Sequence, residues 1–237
     1  MTRRRWIADE VEGKRAAITG AHAAHLARVL RARPGQEFDI ATGESVHRGR
    51  ITKISEQRVE FELGEQLSES PQPQVTLLLA IFKFDRMEWA IEKCTELGAA
   101  QIVPLIARRT DAGLAIAAKG RMERWRRLVR QAAEQSRRSA PPEISDPIKL
   151  KDAIASPADT RIVLAESEQE ISLAAALRQH SRPGSLTLAI GPEGGWTADE
   201  LQLFQQSSWK PASLGGNILR AETAAIAALA VVMSHIS

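Results

Sequence analysis

The chain has 237 residues, of which 43% are hydrophobic and 26% charged, with a formal net charge of +3. That length supports one large domain or two modest ones, with ample core. A single cysteine, Cys94, excludes an internal disulfide framework and fits a reducing cytoplasm.

The N-terminal MTRRRW is basic, but Ile7, Ala8, Asp9 and Glu10 stand where a signal peptide needs an apolar stretch, so no export is expected. A helical stretch follows over about Ala21–Arg31. Its His22 and His25 have no acidic or cysteine partner at ligand spacing, and no metal site is expected. Short β-rich runs at Glu37–Ile40, Arg48–Ile54 and Arg58–Leu63 alternate with polar turns at Gly43 and Glu56. Residues 1–66 therefore read as a small β domain, and the polar, proline-bearing stretch over 67–74 as a linker.

From residue 75 to 237 the pattern becomes strand and helix in alternation. Strands are expected at Val75–Phe82, Ile102–Ile106, Arg161–Ala165, Leu186–Ile190 and near Ala212–Leu214. A helix over Asp85–Leu97, capped by Asp85 and Glu88, stops at Gly98 and places Cys94 in the core. Such alternation predicts an α/β domain with a mostly parallel sheet. The longest uncharged run, Thr223–His235, is too short to span a bilayer and reads as a buried helix, so no membrane association is expected. Charge is uneven: 71–150 carries 14 Lys and Arg against 9 acids, whereas 151–237 carries 6 against 9.

Two glycine-rich turns carry the strongest functional signal, IGPEGGWTADE at 190–200 and SLGGNILRAETAA at 213–225. Each follows an apolar run, and such turns bring bare backbone groups close to a ligand. Thr197 and Glu200 form a capping box that opens a helix after the first turn. Neither turn has the GxGxxG or GxxxxGK[ST] spacing of a nucleotide loop, and Glu193 would repel phosphate. The residues suit a neutral or cationic ligand. Trp196 either packs in the core or walls that pocket.

The two turns together resemble the cofactor-binding half of the SPOUT methyltransferases. The match extends to HLARVLR at 25–31, KFDRMEWAIEKCTELG at 83–98 and AAEQSRR at 132–138. With these motifs, the chain is most similar to the family that methylates the uracil N3 of one uridine in 16S rRNA. Asn217 departs from that family's LGxRILR pattern. The resemblance implies a trefoil-knotted SPOUT domain, a PUA-like N-terminal β-barrel, a homodimer acting on the small ribosomal subunit, and S-adenosylmethionine as cofactor. It implies a cofactor site formed by Leu164, Glu166, Gly191, Pro192, Glu193, Gly194, Gly195, Leu214, Gly215, Ile218, Leu219 and Thr223.

Arg220 is the leading catalytic candidate, as a cation facing the uracil oxygens, with Glu222 to orient it or accept a proton. Residues 119–138 carry eight bases against Glu123 and Glu134, with Trp125, Leu128 and Val129 as an inward stripe. The expected RNA contacts are Arg3, Arg4, Arg5, Arg28, Arg31, Lys83, Arg86, Arg137 and Arg138, which would position RNA without reading its sequence. Two rival readings are a SPOUT enzyme acting on another rRNA or tRNA position and a non-catalytic ribosome-assembly factor.

Overall fold

A computed structural model describes residues 5–43, 45–68, 74–179 and 184–236. Arg3, Arg4 and most of the expected linker lie outside these. Two compact units emerge, one of residues 1–71 with 133–141, the other of 72–132 with 142–237.

In the first unit six strands form one mixed sheet among the described residues. They are β1 (Arg5–Ile7), β2 (Glu10–Glu12), β3 (Arg15–Thr19), β4 (Glu37–Ala41), β5 (Val46–Ile54) and β6 (Arg58–Leu67), in the order β1-β4-β5-β6-β3-β2. The first three were not expected from the sequence, being short and interrupted by charge. Only the register with β4 and β6 makes strands of them. The expected helix at 21–31 is instead a short α1 (Gly20–Ala24) continued by a π-helical turn, His25–Val29. It ends at Arg31, whose φ of 49° lies in the left-handed region. Trp6, Ile18, Leu26, Ile40, Ile51 and Phe61 fill the core. Gly49 is required there, because an added Cβ would stand 2.3 Å from Ile40 Cγ1.

The second unit is a parallel sheet of β7 (Gln74–Ala80), β8 (Gln101–Ile106), β9 (Glu143–Ile144), β10 (Ile148–Lys149), β11 (Thr160–Leu164), β12 (Ser185–Ile190) and β13 (Lys210–Ala212). Its order is β10-β8-β7-β12-β11-β13, with β9 beside β8. The last strand begins two residues earlier than the expected 212–214. Side chains alternate between faces, as the period of two demands. Val75, Leu77 and Leu79 meet α2 (Phe84–Leu97), the start of α4 (Met122–Gln135), α6 (Leu173–Arg178) and α8 (Ala221–Ile236). Leu78 and Ala80 face α5 (Leu150–Ala153) and α7 (Ala198–Gln206). A short α3 (Ala112–Ala117) precedes α4.

Gly98 closes α2 with φ of 108°, as expected, but the cap at its start is not Asp85 with Glu88. Lys83 occupies that position without a side-chain hydrogen bond, since the chain enters directly from the buried Ile81 and Phe82. Cys94 is fully buried, which pushes its thiol up to about 12. Trp125 and Val129 form the inward stripe of α4, with Leu128 partly buried beside them.

Candidate functional site

Parallel strands place all their C-terminal ends on one edge, where open α/β sheets bind ligands. Because β12, β11 and β13 are neighbours, the loops that follow them, 191–197, 165–172 and 213–220, are brought together. They line a cleft of about 1010 Å³.

Each wall is tied to the next. The capping box forms as expected, Thr197 N and Oγ1 donating to Glu200 Oε2 at 2.9 and 3.0 Å. The other oxygen of Glu200 accepts from Arg108 N at 2.7 Å, beyond β8. Gly195, with φ of 70°, closes the first turn by donating its N–H to Pro192 O at 2.8 Å. Trp196 serves both of its expected roles: it packs on Phe204, lines the cleft, and donates its Nε1 to Leu164 O at 2.9 Å. The segment leaving β13 is stitched to the loop leaving β11, with Ser213 N donating to Ile171 O and Leu173 N to Ser213 O. That loop is folded around Glu168, whose Oε1 accepts from Glu170 N at 2.7 Å and Ile171 N at 2.9 Å. The N–H of Ile171, then that of Glu170, holds its carboxyl below the usual range.

Of the expected cofactor residues, Leu164, Glu166, Gly191, Pro192, Glu193, Gly194, Gly195, Leu214, Gly215, Ile218 and Leu219 line the cleft, and Thr223 does not. Arg220 lines it, exposed and without an ion pair or hydrogen-bonded side chain among the described residues. Glu222 is 5% exposed and does not line it. Its Oε1 is 3.7 Å from Arg86 Nε, so the structure joins it to Arg86 and not to Arg220. Two lining bases were not expected in the cleft. Arg86 is among the expected RNA contacts, and Arg109, three residues beyond the end of β8, belongs to no motif that marks it. Arg109 Nη1 donates to Gly194 O at 2.6 Å.

Backbone groups of residues 214–219 make no hydrogen bond among the described residues and are free for a ligand. The lining carries Glu166, Glu168, Glu170 and Glu193 against Arg86, Arg109 and Arg220, and the acids of the 165–170 loop favour a cationic group beside that loop.

A family model described as an RNA methyltransferase domain matches residues 68–233, and one described as an RNA methyltransferase PUA domain matches 18–64. A ribosomal RNA small subunit methyltransferase E from Synechocystis is 36% identical over 90% of this chain and 71% of its own length. The chain belongs to this RNA methyltransferase family. A member of the family from Rickettsia conorii is 33% identical over 89% of this chain and 86% of its own. The solved structure of a member from Neisseria gonorrhoeae, bound to S-adenosyl methionine, superposes with a TM-score of 0.84. It is 27% identical and covers 98% of each chain. The PUA match falls within the first unit, whereas the methyltransferase match covers nearly all of the second and also residues 133–141 of the first.

The expected RNA contacts fare differently from one another. Arg28 pairs with Glu56, and Arg5 donates to the carbonyl of Arg137. Arg138 is partly buried, which lowers its pKa. Arg31, Lys83 and the side chain of Arg137 are exposed. Arg137 has φ of 61°.

Proposed function

We propose that the protein transfers a methyl group from S-adenosylmethionine to N3 of one uridine in 16S rRNA of the small ribosomal subunit. The observation that carries this reading is the cleft at three adjacent strand ends, walled by two glycine turns, in a member of a family with a cofactor-bound structure of the same fold. The residues fit the cofactor: free backbone groups at 214–219 suit its polar edges, and the carboxylates of the 165–170 loop suit its positive charge. When bound, S-adenosylmethionine supplies a methyl carbon activated by sulfonium sulfur.

The protein's part is orientation in a closed site. The target base must be unpaired or extruded, because N3 lies on its Watson–Crick edge. Loss of the N3 proton to solvent or a base leaves negative charge shared with the flanking uracil oxygens, and in-line N–CH3 bond formation discharges it as the S–CH3 bond breaks and a neutral thioether departs. Arg220, exposed and lining the cleft, is the cation that stabilises that charge. Leu164, Glu166, the 191–195 turn, Leu214, Gly215, Ile218 and Leu219 hold the cofactor, while Glu222 acts from behind the wall. Exposed Arg31, Lys83 and Arg137 meet RNA phosphates. With this reading come a C-terminal segment knotted through the loop after β11, a homodimer and a cytoplasmic site of action.

The test incubates the protein with labelled S-adenosylmethionine and small subunits from a strain lacking the enzyme, then maps the modified base. Label at N3 of a single 16S uridine is expected. No transfer to small-subunit RNA would sink the reading, and label at another atom would move the enzyme to another SPOUT specificity.

A further inference from the structure

Arg86 occupies the first turn of α2, where the helix dipole disfavours a cation. Two carboxylates offset that placement. Nη1 donates to Glu193 Oε1 at 2.8 Å, and Nε faces Glu222 Oε1 at 3.7 Å. The first acid belongs to the 191–195 turn, the second to the start of α8, directly after the other glycine turn. One guanidinium therefore ties the first glycine turn to the helix that follows the second.

Glu222 makes the arrangement costly to lose. Its side chain is 6% exposed, and its Oε2 has no hydrogen-bond partner among the described residues. A buried carboxylate in that state needs a nearby cation to remain charged. Arg86 is its ion-pair partner among the described residues, and a planar fork can serve two carboxylates at once where an ammonium serves as a point charge.

We propose that Arg86 is a positioning residue for methyl transfer, setting the separation of the two glycine turns by holding Glu193 and Glu222 together. It is not a phosphate contact on the RNA surface, as the sequence suggested. Its charge is already engaged by two acids, whereas Arg220 remains free for the substrate. This inference rests on the proposed function and deepens it.

The test uses R86Q, R86K and the double variant R86Q/E222Q, compared with wild type in thermal melts, in calorimetry with S-adenosylmethionine, and in methyl transfer to small subunits. R86Q is expected to lower kcat by about a hundredfold, the cost of a small misplacement of reacting groups, with KM for RNA unchanged. Cofactor affinity should fall by about tenfold, as for one lost charge-assisted hydrogen bond. R86K should recover part of each loss. R86Q/E222Q should exceed R86Q, because removing the second charge relieves the buried acid.

Wild-type kcat and cofactor affinity in R86Q would overturn the proposal. So would a loss confined to KM for RNA that steepens with salt, which marks a phosphate contact. If R86Q does not fold, R86K is read against the same outcomes. If wild type binds the cofactor but methylates no small-subunit RNA, the substrate assignment fails, and calorimetry alone decides the role of Arg86.

Discussion

The cleft and the basic helix α4 differ in what holds their chemistry in place. Around the cleft, backbone groups and short side chains are set by three neighbouring strand ends and cross-linked by Trp196, Arg109 and Glu200. On α4 and the turn before it the groups are long arginines, and acids already hold several. Arg124 donates to Glu88 at 2.7 Å with Arg121 3.8 Å from the same oxygen, while Arg126 reaches Glu123 and Asp146. Among the described residues Lys119 and Arg127 keep no such partner. A glycine turn thus assigns function to particular positions, whereas a charge run overstates how many of its members are available.

The largest effect should come from Arg220, the lining arginine whose side chain has neither an ion pair nor a hydrogen bond among the described residues. Arg220→Ala is expected to lower kcat by roughly 10²–10³-fold, the usual loss for one group that stabilises developing negative charge, while calorimetry shows cofactor affinity unchanged. If affinity falls instead and kcat holds, Arg220 belongs to the cofactor's binding set.

Next in size is Gly191→Val. A Cβ at Gly191 would lie 3.2 Å from Trp196 Cε2 and Nε1, and that ring is fixed by its bond to Leu164 O. Overpacking of this kind costs about 1–3 kcal/mol. Calorimetry should therefore show S-adenosylmethionine binding weakened by about five- to a hundredfold, and unchanged affinity would count against this wall of the pocket.

What the sequence made legible follows the same division. The capping box at Thr197, the stop at Gly98 and the core position of Cys94 depend on neighbours a few residues away, and local pattern reveals them. Strands β1 to β3 stayed hidden because three- to five-residue segments such as Glu10–Glu12 gain their identity only by pairing with distant chain. Residues 133–141 group with the first unit for the same reason, since nothing in their composition says which core they join. In the cleft, the glycines announce themselves, but Arg86 and Arg109 do not. Their partners, Glu193 and Gly194, lie about a hundred residues away in sequence and become neighbours only through the sheet order β8-β7-β12.

A smaller, pH-dependent effect is expected at Glu168. Its carboxyl is held low by backbone N–H groups that favour the charged form, so its support of the 165–172 loop is full above the ordinary carboxylate pKa. That support is lost as pH falls through the lowered value. Cofactor affinity should therefore weaken on acidification below the usual carboxylate range. Glu168→Gln should bring the weakening to neutral pH and flatten that part of the profile, and a wild-type profile in the variant would show that the loop does not depend on this carboxylate.

The smallest effects belong to the basic helix, where the pairing pattern makes a prediction that charge counting does not. A phosphate contact releases counterions, so each one removed should reduce the salt slope of RNA binding by about 0.7 on single strands and about 0.9 on duplex. Arg127 is exposed and has no ion-pair partner among the described residues, so Arg127→Ala should show a change of that order if the helix meets RNA. Arg124 must first leave Glu88, and exposed ion pairs of this kind hold their members only weakly. Arg124→Ala should therefore change the slope less than Arg127→Ala does. Glu88→Gln releases Arg124 and Arg121 together and should strengthen RNA binding, most visibly at low salt. Fluorescence anisotropy of labelled small-subunit RNA across a salt series measures all three. Equal slopes for Arg127→Ala, Arg124→Ala and wild type would remove α4 from the RNA footprint and leave the exposed Arg31, Lys83 and Arg137 to carry it.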